Sequence, residues 1–336
     1  MHSKLTIESS IHSYTIEFID TMQVIQDLMK EPNTVSIVDS NVANLYPELN
    51  SGIIVEATEK AKTLEGAEDL LSKLSERRAN VKTKLIVIGG GIIQDLAGFC
   101  ASVYARGIEY ILIPTTLLSQ ADSCVGGKTS INLRSKKNLI GTFYPPTKIL
   151  INKEFLNTLT RKDYISGLGE IYKFSILQND IENFDLSRDI LEMIHEGLSY
   201  KISILKKDEF DKKERRFLNY GHTFGHAIET TSDNKIPHGL AVILGSMIAA
   251  RVSKYLGYDV HNYEMILDKG IKLIKDSGLE LERDWFNLDR LLEIVKSDKK
   301  STGQLTMVLI DKEPFLKNIE DIEVIRKVLN ETYESI

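Results

Sequence analysis

Apolar and polar positions alternate in two different rhythms along the chain. TVSIVDSN (34–41) is a short β-branched run ending in turn residues, and a charged, helix-patterned stretch follows from Lys60 to Arg78. KLIVIGGG (84–91) is a second apolar run, and beyond a helix of small residues comes YILIPTT (110–116). This alternation predicts βαβ units around a mostly parallel sheet, with ligand-binding groups at the carboxyl ends of the strands. From about Phe155 the spacing changes to long amphipathic segments at 178–208, 213–231, 239–256 and 262–276. These predict a second, all-α domain, with QLTMVLI (304–310) as one candidate short strand. The expected division is an α/β domain over 1–152 and a helical domain over 153–336.

Composition narrows the partners. Against 42 Lys and Arg stand 48 Asp and Glu, a net charge of −6, which gives no general attraction to nucleic acid or to an anionic membrane. Cys100 and Cys124 are too few for a disulfide framework or a thiolate cage, and they fit a reducing compartment. The N-terminal MHSKLTIESS lacks the apolar core of a signal peptide, and the longest apolar stretch, around 239–250, is too short to span a bilayer. A cytoplasmic protein is expected.

Three segments carry chemistry. In IVIGGGIIQDLAGF, Gly89 to Gly91 lie between an apolar strand and a helix, where glycines let backbone N–H groups approach a pyrophosphate. The spaced GxGxxG fingerprint is absent, so an ordinary Rossmann dehydrogenase loses support. Asp39 and Asn41, after an earlier strand, are placed to accept ribose hydroxyls, although such residues also form simple turns. The stretch 119–141 gathers Asp122, Lys128, Arg134, Lys136, Lys137 and Asn138 beside small residues, which suits a phosphorylated or carboxylated ligand as well as a solvated basic loop. Its GGKTS lacks the first glycine of a P-loop.

GHTFGHAIE (221–229) sets His222 and His226 four apart on one helix face, and His238 follows at the start of another helix. Thr223 stands where a metalloprotease HExxH would need glutamate. Glu170 in SGLGEIYKF is a candidate oxygen ligand, with Lys173 one turn on, while the plain alternative leaves the three histidines as core or surface residues. Two imidazoles and one carboxylate leave an open position on a divalent ion. The charged runs SDKKSTGQ (297–304) and Lys201 to Arg216 read, taken alone, as exposed surface.

Taken together, GGGIIQDLAGF, YARG, PTTLLSQADSCVGGKT, KKNLIGTFYPP, GEIYK, LNYGHTFGHAIE, HGLAV and SDKK have the order and spacing of the 3-dehydroquinate synthase family of sugar phosphate cyclases, which the chain resembles from about 35 to about 310. The resemblance implies an NAD-binding α/β domain, a helical domain with one divalent metal ion (zinc or cobalt), and a homodimer. It implies Glu170, His222 and His238 as metal ligands. Asp39, Asn41, Glu59, Lys62, Gly90, Gly91, Asp95, Thr115, Thr116, Lys128, Lys137 and Thr158 match the NAD site. Asp122, Lys128, Lys137, Asn138, Lys173, Lys201, Arg215, Asn219, His226 and a late lysine, Lys299 or Lys300, match the substrate pocket. Arg106 in YARG matches an arginine that reaches the neighbouring subunit's phosphate site.

The implied reaction converts 3-deoxy-D-arabino-heptulosonate 7-phosphate into 3-dehydroquinate and phosphate, a step of the shikimate pathway toward aromatic amino acids. NAD transiently oxidises a ring alcohol, phosphate is eliminated, hydride returns, and an intramolecular aldol closes the carbocycle. Related cyclases of the valiolone and 2-deoxy-scyllo-inosose types act on sugar phosphates without a carboxylate, and a non-catalytic homologue is a further alternative. Three positions depart from the family pattern: Gln94 and Leu240 replace a common glycine and glutamate, and Gly169 replaces a common alanine, which reads as mild. Loss of a glutamate at 240 removes an expected acceptor near His238.

Overall fold

The computed structural model describes residues 4–134, 136–297 and 305–336. The chain forms two compact units, Met1–Leu159 and Thr160–Ile336.

The first unit contains strands β1 (Leu5–Ile7), β2 (Tyr14–Phe18), β3 (Thr34–Asp39), β4 (Ile53–Val55), β5 (Lys84–Gly89), β6 (Tyr110–Pro114), β7 (Lys128–Leu133), β8 (Lys136–Phe143) and β9 (Lys148–Ile151). Seven of them form one sheet in the order β1-β2-β9-β6-β5-β3-β4, parallel throughout except for the β1/β2 pair. Leu85 to Ile88 of β5 are all fully buried, as expected for a central parallel strand covered on both faces. Ile86, Ile88, Ile111, Ile113, Leu150 and Phe155 form a core on one side of the sheet. From β3 the chain runs outward to β4, then returns across β3 to β5, so the connections diverge between β3 and β5. Ligands of open α/β sheets bind outside the carboxyl ends at such a point.

β7 and β8 pair as a separate antiparallel hairpin with a register shift between Ile131 and Leu133. The basic character of 119–141 obscures this hairpin in the sequence, because six of the eight residues of β8 from Lys136 to Gly141 lie at or near the surface and carry no apolar alternation.

Among the described residues the second unit is helical apart from one hairpin, β10 (Thr306–Asp311) and β11 (Glu313–Asn318). Its helix His238–Tyr255 is buried continuously from Gly239 to Ser253 and packs against neighbouring helices on several sides. The expected helical segment 178–208 begins only at Ile190: Asn179 adopts a left-handed conformation, and the Asp189 side chain caps the helix by accepting from Leu191 N at 2.9 Å. The segment 213–231 is broken in two by Gly221, at φ 77°. A further helix, Arg161–Leu177, is buried at every residue from Ile165 to Leu177. Burial all round leaves no amphipathic period for sequence reading to find. No helix among the described residues is long and apolar enough to cross a membrane.

Candidate active site

In the first unit, sheet register brings together residues far apart in sequence. Val38 pairs with Ile88, and Gly89 pairs with Pro114. Asp39, the Gly89–Gly91 turn and Thr115–Thr116 therefore lie side by side at the carboxyl ends of β3, β5 and β6. Asp39 caps the short helix Ser40–Leu45 by accepting from Asn41 N at 2.9 Å, and burial raises its carboxyl above the ordinary range despite that bond.

Gly91 opens the helix Gly91–Val103, whose first turn has neither a capping side chain nor an acidic residue. A Cβ added at Gly89 would lie 2.6 Å from Ile93 Cβ, so packing demands glycine there. At Gly91 a Cβ would meet only Ser123 Oγ, at 3.8 Å. Space beside uncapped helical N–H groups fits the diphosphate of a dinucleotide. Gln94, one turn along, is buried; its Oε1 accepts from Ser123 Oγ at 2.9 Å, and its Nε2 has no hydrogen-bond partner.

Beside this turn lies a polar cluster on the β7–β8 hairpin. Lys62 Nζ donates to Asp95 Oδ2 at 2.5 Å and to Asn138 Oδ1 at 2.6 Å. Burial holds the Asp95 carboxyl above its ordinary value, although the Lys62 cation opposes the shift. Glu59 accepts from Asn132 Nδ2 at 2.7 Å and stands 3.9 Å from Lys137 Nζ. Asn138 sits in the left-handed region at φ 53°, with its N–H donating to Asn132 Oδ1. Thus Glu59, Lys62, Asp95, Lys137 and Asn138 form one contiguous group.

The remaining first-unit candidates are more dispersed. Lys128 begins β7 at the surface, and Asp122 lies half-buried in the tight turn Ser119–Ser123. Exposed Arg106 sits between Ala105 and Gly107 in a turn where all three have positive φ. Thr158 is exposed, and its hydroxyl donates to Phe155 O at 3.0 Å.

The second unit holds the densest constellation. Helices Arg161–Leu177 and His238–Tyr255 cross at Gly169 and Gly239, where Gly239 N donates to Ser166 Oγ at 3.1 Å. A Cβ at Gly169 would fall 2.2 Å from Gly239 O, so the crossing depends on this residue. Glycine at 169 is thus a packing requirement and not the mild change that its place beside Glu170 suggests. Close approach carries the neighbouring Glu170 and His238 together: Glu170 Oε1 lies 3.3 Å from His238 Nε2 and 3.5 Å from His222 Nε2. Lys173, one turn along the same helix, forms an ion pair with Glu170 Oε2. Both members of that pair are buried.

Each imidazole is oriented from behind. His222 Nδ1 lies 3.1 Å from Tyr220 O, which fixes the proton there and presents Nε2 to Glu170. His238 Nδ1 lies 3.3 Å from Glu229 Oε2. Glu229, which sequence reading passed over, supplies the acceptor expected from position 240, while Leu240 is fully buried. The final glutamate of GHTFGHAIE was the available signal. His226 is exposed; the donor atoms of His222, His226 and His238 lie within 4.8 Å of one another, a spacing one ion can bridge.

Electrostatics follow this geometry. Burial opposes charge on Glu170, yet Lys173 and the two imidazoles hold its carboxyl well below the usual range. Burial, reinforced by Lys173, lowers His222. For His238 burial also disfavours the cation, but Glu170 and Glu229 overcome it and raise the imidazole to about 9. Neither oxygen of the buried Glu170 accepts a well-formed hydrogen bond. With Lys173 on Oε2 and two Nε2 atoms facing Oε1, the ionised, dry carboxylate and the imidazoles make a donor set that fits a divalent cation.

Lys201, on the helix Ile190–Leu205, and Arg215, at the start of the turn Glu214–Asn219, are both buried. Their elements pack against each other, and the Lys201 helix also packs against the Glu170 helix. Asn219 ends the same turn, half-buried, three residues before His222. Lys299 and Lys300 lie outside the described residues.

A parallel-sheet unit with a glycine-rich turn, followed by a helical unit with a carboxylate–imidazole cluster, defines an α/β-plus-helical protein with a candidate metal centre. Two family models match: 3-dehydroquinate synthase N-terminal over 52–166 and 3-dehydroquinate synthase C-terminal over 167–301. The chain belongs to the 3-dehydroquinate synthase family. It is 37% identical over 336 residues to the 3-dehydroquinate synthase of Dictyoglomus turgidum, covering 95% of this chain and 89% of that protein. To the 3-dehydroquinate synthase of Thermococcus kodakarensis it is 40% identical over 263 residues, 76% of this chain and 74% of that one. Among solved structures, 2-deoxy-scyllo-inosose synthase complexed with carbaglucose-6-phosphate, NAD+ and Co2+ superposes with a TM-score of 0.81 at 25% identity, covering 98% and 99% of the chains. The 2-epi-5-epi-valiolone synthase of Streptomyces hygroscopicus, with NAD+ and Zn2+ bound, shares the fold with a TM-score of 0.83 at 22% identity, over 96% and 97% of the chains.

Proposed function

We propose that this chain is a 3-dehydroquinate synthase, converting 3-deoxy-D-arabino-heptulosonate 7-phosphate into 3-dehydroquinate and phosphate. The observation that carries the reading is buried Glu170 beside half-buried His222 and His238, in a chain that also carries buried Lys173, Lys201 and Arg215. When bound, NAD supplies a hydride acceptor that is regenerated, and a divalent ion supplies a Lewis acid for charge developing on substrate oxygen. We assign the ion to Glu170, His222 and His238, and leave the more exposed His226 for proton transfer.

The chain's own residues divide the remaining work. Asp39, Gly90, Gly91, Thr115 and Thr116 line the dinucleotide site. Lys173 and Lys201, held in low-dielectric surroundings, favour a developing alkoxide. Arg215 offers a planar fork to the substrate carboxylate. Lys128 and Asn138 hold phosphate, and Arg106 on its surface turn completes the phosphate site of a second copy in a homodimer. Related cyclases act on sugar phosphates without a carboxylate and have no need of Arg215 and its neighbours, which favours the heptulosonate. Phosphate release from a panel of sugar phosphates, with product identified by mass and NMR, tests the reading. Release from the heptulosonate alone is expected, and turnover of sedoheptulose 7-phosphate instead would overturn it.

A further inference from the structure

The segment joining the Lys201 helix to the Arg215 turn is irregular, yet it is tied to a single side chain. Asp208 is 7% exposed, and its two carboxylate oxygens receive three backbone amides: Lys212 N at 3.0 Å on Oδ1, Lys213 N at 2.6 Å and Arg215 N at 3.1 Å on Oδ2. Asp211 within the loop takes a left-handed conformation at φ 59°. The Arg215 guanidinium closes the loop from the other side by donating to Glu209 O, and Arg215 is itself 4% exposed.

We infer that Asp208 is a positioning residue for Arg215, fixing the guanidinium for the substrate carboxylate by holding the 209–215 loop through its backbone. The inference rests on the assignment of Arg215 made above. Its physical basis is the strength of hydrogen bonds to a charged acceptor in a nearly dry setting, where one carboxylate organises three donors that no regular element would satisfy. Burial works against charge on Asp208, yet the amides of Lys212, Lys213 and Arg215 hold its carboxyl below the ordinary range, so the acceptor stays ionised at neutral pH. A side chain acting this way shapes substrate affinity without touching substrate.

The experiment measures phosphate release from 3-deoxy-D-arabino-heptulosonate 7-phosphate by wild type, Asp208→Asn, Asp208→Glu, Arg215→Ala and the Asp208→Asn/Arg215→Ala double variant. Asp208→Asn is expected to raise KM about tenfold with a smaller change in kcat, because it weakens ground-state placement of the carboxylate. Asp208→Glu should recover part of the loss, and Asp208→Asn should add little once Arg215 is absent. An unchanged KM in folded Asp208→Asn, or full additivity in the double variant, would overturn the inference. Should the variants fail to fold, hydrogen exchange on wild type decides: amides of Lys212, Lys213 and Arg215 are expected to exchange slowly, and exchange at open-chain rates would sink it. Lack of turnover by wild type counts against the assignment of function instead, and hydrogen exchange still judges the loop.

Discussion

Glu229 faces the Nδ1 side of His238 at 3.3 Å, on the opposite edge of the ring from Glu170, which lies 3.3 Å from Nε2. The imidazole is thereby held between two carboxylates, one behind it and one beside it in the candidate metal site. Replacing Glu229 by Gln weakens this support, and metal affinity is expected to fall about 10- to 100-fold. Titration of the metal-free protein with zinc or cobalt measures it, and an affinity equal to wild type would remove Glu229 from the site.

His222→Ala deletes one of the two imidazoles that face Glu170 Oε1. Metal content and phosphate release are expected to vanish together. A variant that keeps a full equivalent of metal would take His222 off the ligand set and bring His226 forward.

Gly169→Ala places a methyl group where Gly239 O leaves no space. Parting the two helices is expected to cost about 1–3 kcal/mol in chemical denaturation. Because Glu170 follows directly, metal binding should weaken as well. Unaltered stability with unaltered metal affinity would show that the crossing relaxes without effort.

Lys62→Met leaves the Asp95 carboxylate, only 25% exposed, without its cation. A loss of about 3 kcal/mol is expected, the usual cost of stranding one member of a largely buried pair. Denaturant unfolding followed by a probe in the first unit measures it, and a change below about 0.5 kcal/mol would mean that solvent already screens the pair.

Asp208 also gives a pH dependence of known sign. Its folded pKa lies below the ordinary value of 3.8, because three amides outweigh burial. The unfolded chain therefore takes up the proton first on acidification, and the contribution is complete above 3.8 and fades as pH falls toward the folded value. Urea midpoints between pH 6 and pH 3, roughly the span over which an aspartate titrates, should fall more steeply for wild type than for Asp208→Asn. Parallel curves would refute this.

What the sequence makes legible follows from physical reach. Strand–helix alternation up to residue 116 is visible because parallel strands such as β5 are unbroken apolar runs ending in glycine. Glu170, His222 and His238 are visible as residue types, since few other chemistries need a carboxylate and two imidazoles at these spacings. Invisible are features that arise only when separate segments meet. The helix Arg161–Leu177, buried on every side, has no periodicity to betray it. Glu229 looks like any surface glutamate until His238 packs against it, and the Gly169–Gly239 crossing depends on two positions seventy residues apart in the chain.

Glu170, His222, His238 and their supporting carboxylate all belong to the second unit, as do the glycines where its helices cross. The candidate metal set is therefore encoded in one contiguous stretch of polypeptide, whereas the Gly89–Gly91 turn is encoded in the other. Substitutions in the glycine turn and at the helix crossing are therefore expected to weaken different ligands, NAD for the first and zinc for the second, which separate binding titrations of each variant would show.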